Sequence, residues 1–201
     1  MPYENKRKTA AKRYGKNKNR ATLKEKLLGS ARLATPAESA EFFDDDDFRW
    51  AETLSGDDAN GEPVIYINDK KFKDAGSTNY RDKMHLLESL HRLKDVDKER
   101  YDTLFNAAVT NPEYQKWAQE SYEHTRNQSF NKDNNDFITN PGYLETRNFD
   151  DWHSQSRFDQ VMGGYLMSGD KDIPTAKNWS RDLPFGDDFK KELELLEQDL
   201  K

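Results

Sequence analysis

Cysteine is absent from all 201 residues. That absence excludes disulfide scaffolds, thiolate zinc sites, iron–sulfur clusters and cysteine nucleophiles. No apolar run approaches the roughly 18 residues of a membrane-spanning helix. The N-terminus is basic, but no apolar stretch follows it, so a secretory signal peptide is not expected. Phosphate-cradling loops of the G-x-x-x-x-G-K-[ST] or G-x-G-x-x-G kind are missing, and so is a G-x-S-x-G nucleophile elbow. Apolar residues are scarce at 33% and charged ones abundant at 35%, which argues against one large core running through the chain. Aromatic residues, at 12%, are plentiful, and disordered chains are poor in them. The expectation is a modest aromatic-rich core with polar extensions.

Charge is segregated along the chain. Residues 1–32 hold 11 Lys or Arg against 2 acids, a net of +9, and residues 33–201 hold 21 against 36, a net of -15. Lys6, Arg7, Lys8, Lys12, Arg13, Lys16, Lys18 and Arg20 precede any apolar stripe. Residues 1–34 therefore read as a basic arm, with a short helix over 21–34. Such an arm suits nucleic-acid phosphates, through counterion release, or an acidic protein surface. No base-reading fold accompanies it, so any nucleic-acid binding would be non-specific.

Residues 35–61 read as an acidic, aromatic linker. Thr35, Pro36 and Glu38 have the order of a capped helix start. Phe42, Phe43, Phe48 and Trp50 flank four consecutive Asp. Aromatic anchors with flanking acids suit a groove on a partner; the alternative is that they fold back onto the core. Gly56 to Gly61 is not a calcium loop, because an EF-hand in that register needs an acid at position 56 and Glu at 67, where Gly56 and Ile67 stand. Pro63–Asn68 is the one convincing strand.

The remainder, 62–200, reads as a compact helical domain. Met84, Leu87, Leu90 and Leu93 mark one helix, and Asp97 caps the next, with Tyr101, Leu104, Phe105 and Ala108 as its stripe. Asn111 and Pro112 open a third, carrying Tyr114, Trp117, Ala118 and Tyr122. Residues 127–148 read as a long surface loop. A helix over about 150–167 follows, and Gly163-Gly164 predicts a break or a close helix contact in it. Asp187 to Leu200 is the last helix. The fold class expected is mainly α with a minor strand element.

Four histidines are available: His85, His91, His124 and His153. Glu88 and His91 stand three apart and share a helix face. The E-x-x-H spacing also serves carboxylate-bridged metal sites in helix bundles, and Asp150 to His153 repeats it with Asp. These residues nominate Glu88 as a general base, with His91, His124 and His153 as metal ligands. The bland alternative is an ordinary polar helix face. No cofactor is expected on the polar-face reading; the alternative, the metal-site reading, expects zinc.

The segments Val64–Ser77 and Leu87–Leu93 resemble a metallopeptidase-like module of virion-associated and polyvalent proteins of tailed bacteriophages, and Phe149–Gln160 with Gly163-Gly164-Tyr165 looks like the sequence that follows this module in such proteins. That family carries H-E-x-x-H on its metal helix. The resemblance implies Glu88 as the base and His91 as a ligand, but Leu87 occupies the position of the first ligand. It therefore implies a phage protein on a peptidase-like scaffold whose chemistry has been lost. The function expected is a virion structural or interaction protein that docks on other virion proteins through its basic arm and acidic aromatic linker, in the virion or the host cytoplasm. The alternatives are a zinc-dependent peptidase or peptidoglycan hydrolase, and a non-specific nucleic-acid-binding packaging or regulatory protein.

Overall fold

Two threonines decide where the first helices begin. Thr22 accepts the backbone N–H of Glu25 while the Glu25 carboxylate accepts that of Thr22, and Thr35 and Glu38 repeat the exchange. Each box satisfies two N–H groups that a helix start otherwise leaves orphaned. They open α1 (Leu23–Leu28) and α2 (Pro36–Phe42). The structure is a computed structural model describing residues 21–45, 47, 49–54, 56, 60–129, 153, 158–174 and 185–201, with backbone only for 124–129 and 160. The basic residues Lys6 to Arg20, Phe48, Asp150 and Trp152 lie outside the described residues.

A three-stranded sheet has the order β1 (Arg32–Leu33), β3 (Val64–Ile67), β2 (Ala51–Leu54). β1 pairs parallel to β3, with Arg32 opposite Val64; β2 pairs antiparallel, with Ala51 opposite Ile67 and Leu54 opposite Val64. The central strand carries the apolar residues, and Val64, Ile65 and Ile67 are fully buried.

Helices supply the rest: α3 (Asp69–Asp74), α4 (Arg81–Ser89), a 3-10 turn (Leu90–Arg92), α5 (Leu93–Val96), α6 (Lys98–Val109), α7 (Pro112–Ser129), α8 (Phe158–Leu166) and α9 (Asp187–Asp199). The protein is mainly α with a small sheet. Asp97 caps α6 through the Arg100 N–H, and Asn111 caps α7 through that of Tyr114. The first residues of the expected loop 127–148 continue α7 as far as Ser129.

Two apolar clusters form the core. One lies under the sheet and gathers Ile65, Ile67, Phe72, Tyr80, Met84 and Ile173. The other joins α1, the 3-10 turn and α5–α9 around Leu90, Leu104, Tyr114, Phe158, Met162 and Phe189. Leu87 packs against both. Gly163 lies inside an unbroken α8, and a Cβ built on it would sit 2.3 Å from Leu87 Cδ1. Of the two outcomes expected for the Gly163-Gly164 pair, the structure shows the close contact.

The folded unit reaches further toward the N-terminus than residue 62. Leu27 is fully buried in the helical cluster, and β1 and β2, from the segments expected as arm and linker, complete the sheet. β3 exposes hydrogen-bonding edges on both sides, and these short strands are what covers them. Phe42 stacks on Tyr66 with centroids 4.3 Å apart, Phe43 is buried, and Trp50 meets Phe72 edge-on at 4.8 Å. The expected docking aromatics Phe42, Phe43 and Trp50 are thus placed against the protein's own sheet. Arg49 closes this layer, lying over both Phe rings and pairing with Asp47 and Glu52.

Candidate functional site

The end of α4 is where titratable groups gather. Ser89 is fully buried, and its hydroxyl donates to the His85 carbonyl at 2.7 Å, one turn back. Such back-bonding bends or tightens a helix, and here the chain passes into the 3-10 turn Leu90–Arg92. Near a 3-10 turn, side chains three apart come close to eclipsing. Glu88 and His91 accordingly lie one above the other.

His91 stands between two carboxylates. Its Nε2 is 3.9 Å from Glu88 Oε2, and its Nδ1 is 3.6 Å from Asp159 Oδ2 on α8. Both separations exceed hydrogen-bonding distance, and both become ion pairs when His91 is protonated. The Thr53 hydroxyl on β2 donates to Glu88 Oε2 at 3.2 Å. Burial is graded along the row, with side-chain exposure of 35% for His91, 17% for Glu88 and 6% for Asp159. Asp159 sits in the first turn of α8, where the helix dipole favours negative charge,. Its Oδ1 is buried and has no hydrogen-bond partner.

All three groups titrate above their ordinary ranges. Burial raises the Glu88 carboxyl, against the pull of His91 and Thr53. Burial also raises Asp159, again against His91. For His91, burial works downward, but Asp159 and Glu88 together outweigh it and the imidazolium is favoured. Each member of the row therefore holds a proton more firmly than it would in water.

The other histidines are placed elsewhere. His153 is buried beside Phe105 and Phe158, and its Nε2 lies 2.7 Å from the Tyr114 hydroxyl. Nε2 of His85 donates to the Ala31 carbonyl at 3.0 Å. His124 lies on α7, with its side chain outside the described residues. Of the four residues nominated for metal chemistry, the structure brings Glu88 and His91 together and places His153 in the aromatic core. Asp159 and Thr53, which complete the row, carry no local sequence signal, because each meets it through a long-range contact.

A zinc ion does not fit this donor set. Zinc takes three or four ligands converging at about 2.0–2.3 Å. Here the two carboxylates lie off opposite ring nitrogens, which diverge, so one ion cannot reach all three groups. Among the described residues, no group of three His, Cys, Asp or Glu is placed to hold a metal ion. Leu87, where an H-E-x-x-H motif would carry its first histidine, is partly buried and packs against both apolar clusters; an imidazole there would place a polar ring in that junction. No helix among the described residues is long and apolar enough to cross a membrane. Comparison with family models, with curated proteins and with solved structures finds no match for this chain.

Proposed function

We propose that this is a non-enzymatic interaction protein, a component or cargo of a bacteriophage particle, that attaches to partners through its basic N-terminal segment. The single observation that carries this reading is the charge segregation, +9 over residues 1–32 against -15 over 33–201. The phage context rests on the resemblance of Val64–Ser77 and Leu87–Leu93 to the virion-associated module. Phe42, Phe43 and Trp50 are engaged within the fold, which leaves the basic segment as the attachment element. The acidic remainder repels phosphate and confines any nucleic-acid contact to that segment. Before assembly such a protein would be held in the host cytoplasm.

Deletion of residues 1–20 is the direct test, since it spares the Thr22 capping box and the buried Leu27. Mass spectrometry of purified particles should detect the full chain and lose it on that deletion. Retention of the truncated chain would overturn the attachment role. Binding of the full chain to random-sequence duplex DNA tells a nucleic-acid partner from a protein one. If all eight basic side chains of 1–20 contact phosphates, log K falls with log salt with a slope of about -7. A flat salt profile assigns the partner to the acidic proteins of the particle.

A further inference from the structure

The row Asp159–His91–Glu88 is the least explained arrangement among the described residues. It places two carboxylates and one imidazole where α4, the 3-10 turn, α8 and β2 meet. Burial of that much potential charge is costly unless the charges are compensated. Among the described residues, the one cation that faces both acids directly is protonated His91, with one nitrogen 3.9 Å from Glu88 and the other 3.6 Å from Asp159. His91 is about one-third exposed, so solvent protons reach it without unfolding. Asp159, almost wholly buried and with one oxygen unpartnered, depends on what His91 carries.

We propose that this row is a proton-operated latch: protonated His91 ties the start of α8 to the 3-10 turn and, through Glu88 and Thr53, to β2, and loss of its proton loosens that corner.

The groups facing the row from each packed element are few. Glu52 on β2 adds negative charge beside Glu88, and Lys94 and Asp95 on α5 act on Asp159 with opposite signs. Tyr101 on α6 also faces Asp159, and it stays neutral across the physiological range. Arg92 follows His91 on the turn, and its Nε is buried without a hydrogen-bond partner. With His91 neutral and both acids ionised, the row holds two like charges around an uncharged ring. The linkage has one sign throughout. Glu88, His91 and Asp159 are all shifted upward, so each contributes stability that is full below its ordinary range and is lost as pH rises through its folded value. For His91 that loss begins above its ordinary 6.5. The latch is closed while His91 is protonated and opens as pH rises above 6.5 through its folded value. It stands on the row alone, independently of the attachment reading.

Hydrogen exchange of the full chain tests it, with amides of α8 (158–166) compared against α6 (98–109) after correction for intrinsic rates. Between pH 6 and pH 8 the opening constant of α8 should rise about 2–5-fold, the scale of a partly exposed ion pair, while α6 stays constant. His91→Gln and Asp159→Asn should each abolish the difference between the two pH values. Should a variant fail to fold, the wild-type His91 ring resonance decides: its titration midpoint should lie above 6.5 and coincide with the loosening of α8. Protection of α8 that ignores pH in the wild type would overturn the latch, and so would loosening that persists in His91→Gln or a His91 midpoint at or below 6.5.

Discussion

Phe72 shows how much one side chain holds here. It is fully buried, its ring stacks on Tyr80 at 4.5 Å with planes 4° apart, and Trp50 closes it from the edge. Phe72→Ala leaves a cavity that neither the sheet nor α4 can collapse to fill, and should cost about 3–5 kcal/mol in urea unfolding. Trp117 is larger but only partly buried, so Trp117→Ala should cost clearly less than Phe72→Ala despite removing more atoms. The ranking tests the placement of the core, because composition alone would order the two the other way. Tyr114 adds a polar counterpart: it packs against Trp117, Phe185 and Phe189, and its hydroxyl lies 2.7 Å from Nε2 of His153. A histidine within an aromatic cluster looks like a ligand in sequence and proves to be a hydrogen-bonded member of the core.

At the scale of elements, α8 and α4 approach so closely that Gly163 has no room for a side chain. A Cβ there would lie 2.3 Å from Leu87 Cδ1. Gly163→Ala should destabilise by about 1–3 kcal/mol, the usual cost of overpacking, despite the better helix propensity of Ala. Because the obstructing atom is the end of one side chain, adding Leu87→Ala should cost less than the sum of the single changes; a strictly additive double mutant would show that the two residues do not touch. Much at this scale was legible in the sequence. Thr35-Pro36-Ala37-Glu38, Asp97 and Asn111 announce helix starts through their side-chain chemistry, and Val64–Ile67 announces a strand through its β-branched run. β1 and β2 were not legible. Arg32-Leu33 is too short for any period to register, and Ala51–Leu54 is half-buried throughout; both are strands because β3 offers them hydrogen bonds. The site divides in the same way. Glu88 and His91 were visible as a spacing of three. Asp159 was not, since nothing in Phe158-Asp159-Gln160 specifies which distant side chain its carboxylate will meet.

At the scale of the molecule, two groups of ionisable residues among those described pull stability in opposite directions with pH. Glu38 is drawn down to about 2, foremost by hydrogen bonding to Arg32. Asp47 is lowered by Arg49, and Asp45 and Asp172 by Lys70 and Lys83. Their stabilisation is present above the ordinary carboxylate range of about 4 and lost as pH falls through their folded values. The Glu88–His91–Asp159 row loses its stabilisation in the other direction. The urea midpoint should therefore peak in mildly acidic solution, between about pH 4 and pH 6, and fall on both sides. On the acid side the fall should shrink in 0.5 M salt, because pairs such as Arg32–Glu38, each 40% exposed, are open to screening,. An acid limb insensitive to salt would assign it to buried groups instead.

The helical cluster draws on both ends of the described chain: Leu27 from α1, and Phe189, Leu193 and Leu196 from α9, where Arg100 of α6 also pairs with Glu192 and Asp199. The sheet, by contrast, is complete within residues 32–67. During synthesis the sheet and its apolar underside can begin to assemble early, from neighbouring stretches of chain. The larger cluster must wait with an open flank until α9, which follows every other described element off the ribosome, arrives to cover it. For that interval a leucine- and phenylalanine-rich surface faces solvent, and nascent chains stalled before residue 186 are the form of this protein that chaperones have most reason to hold.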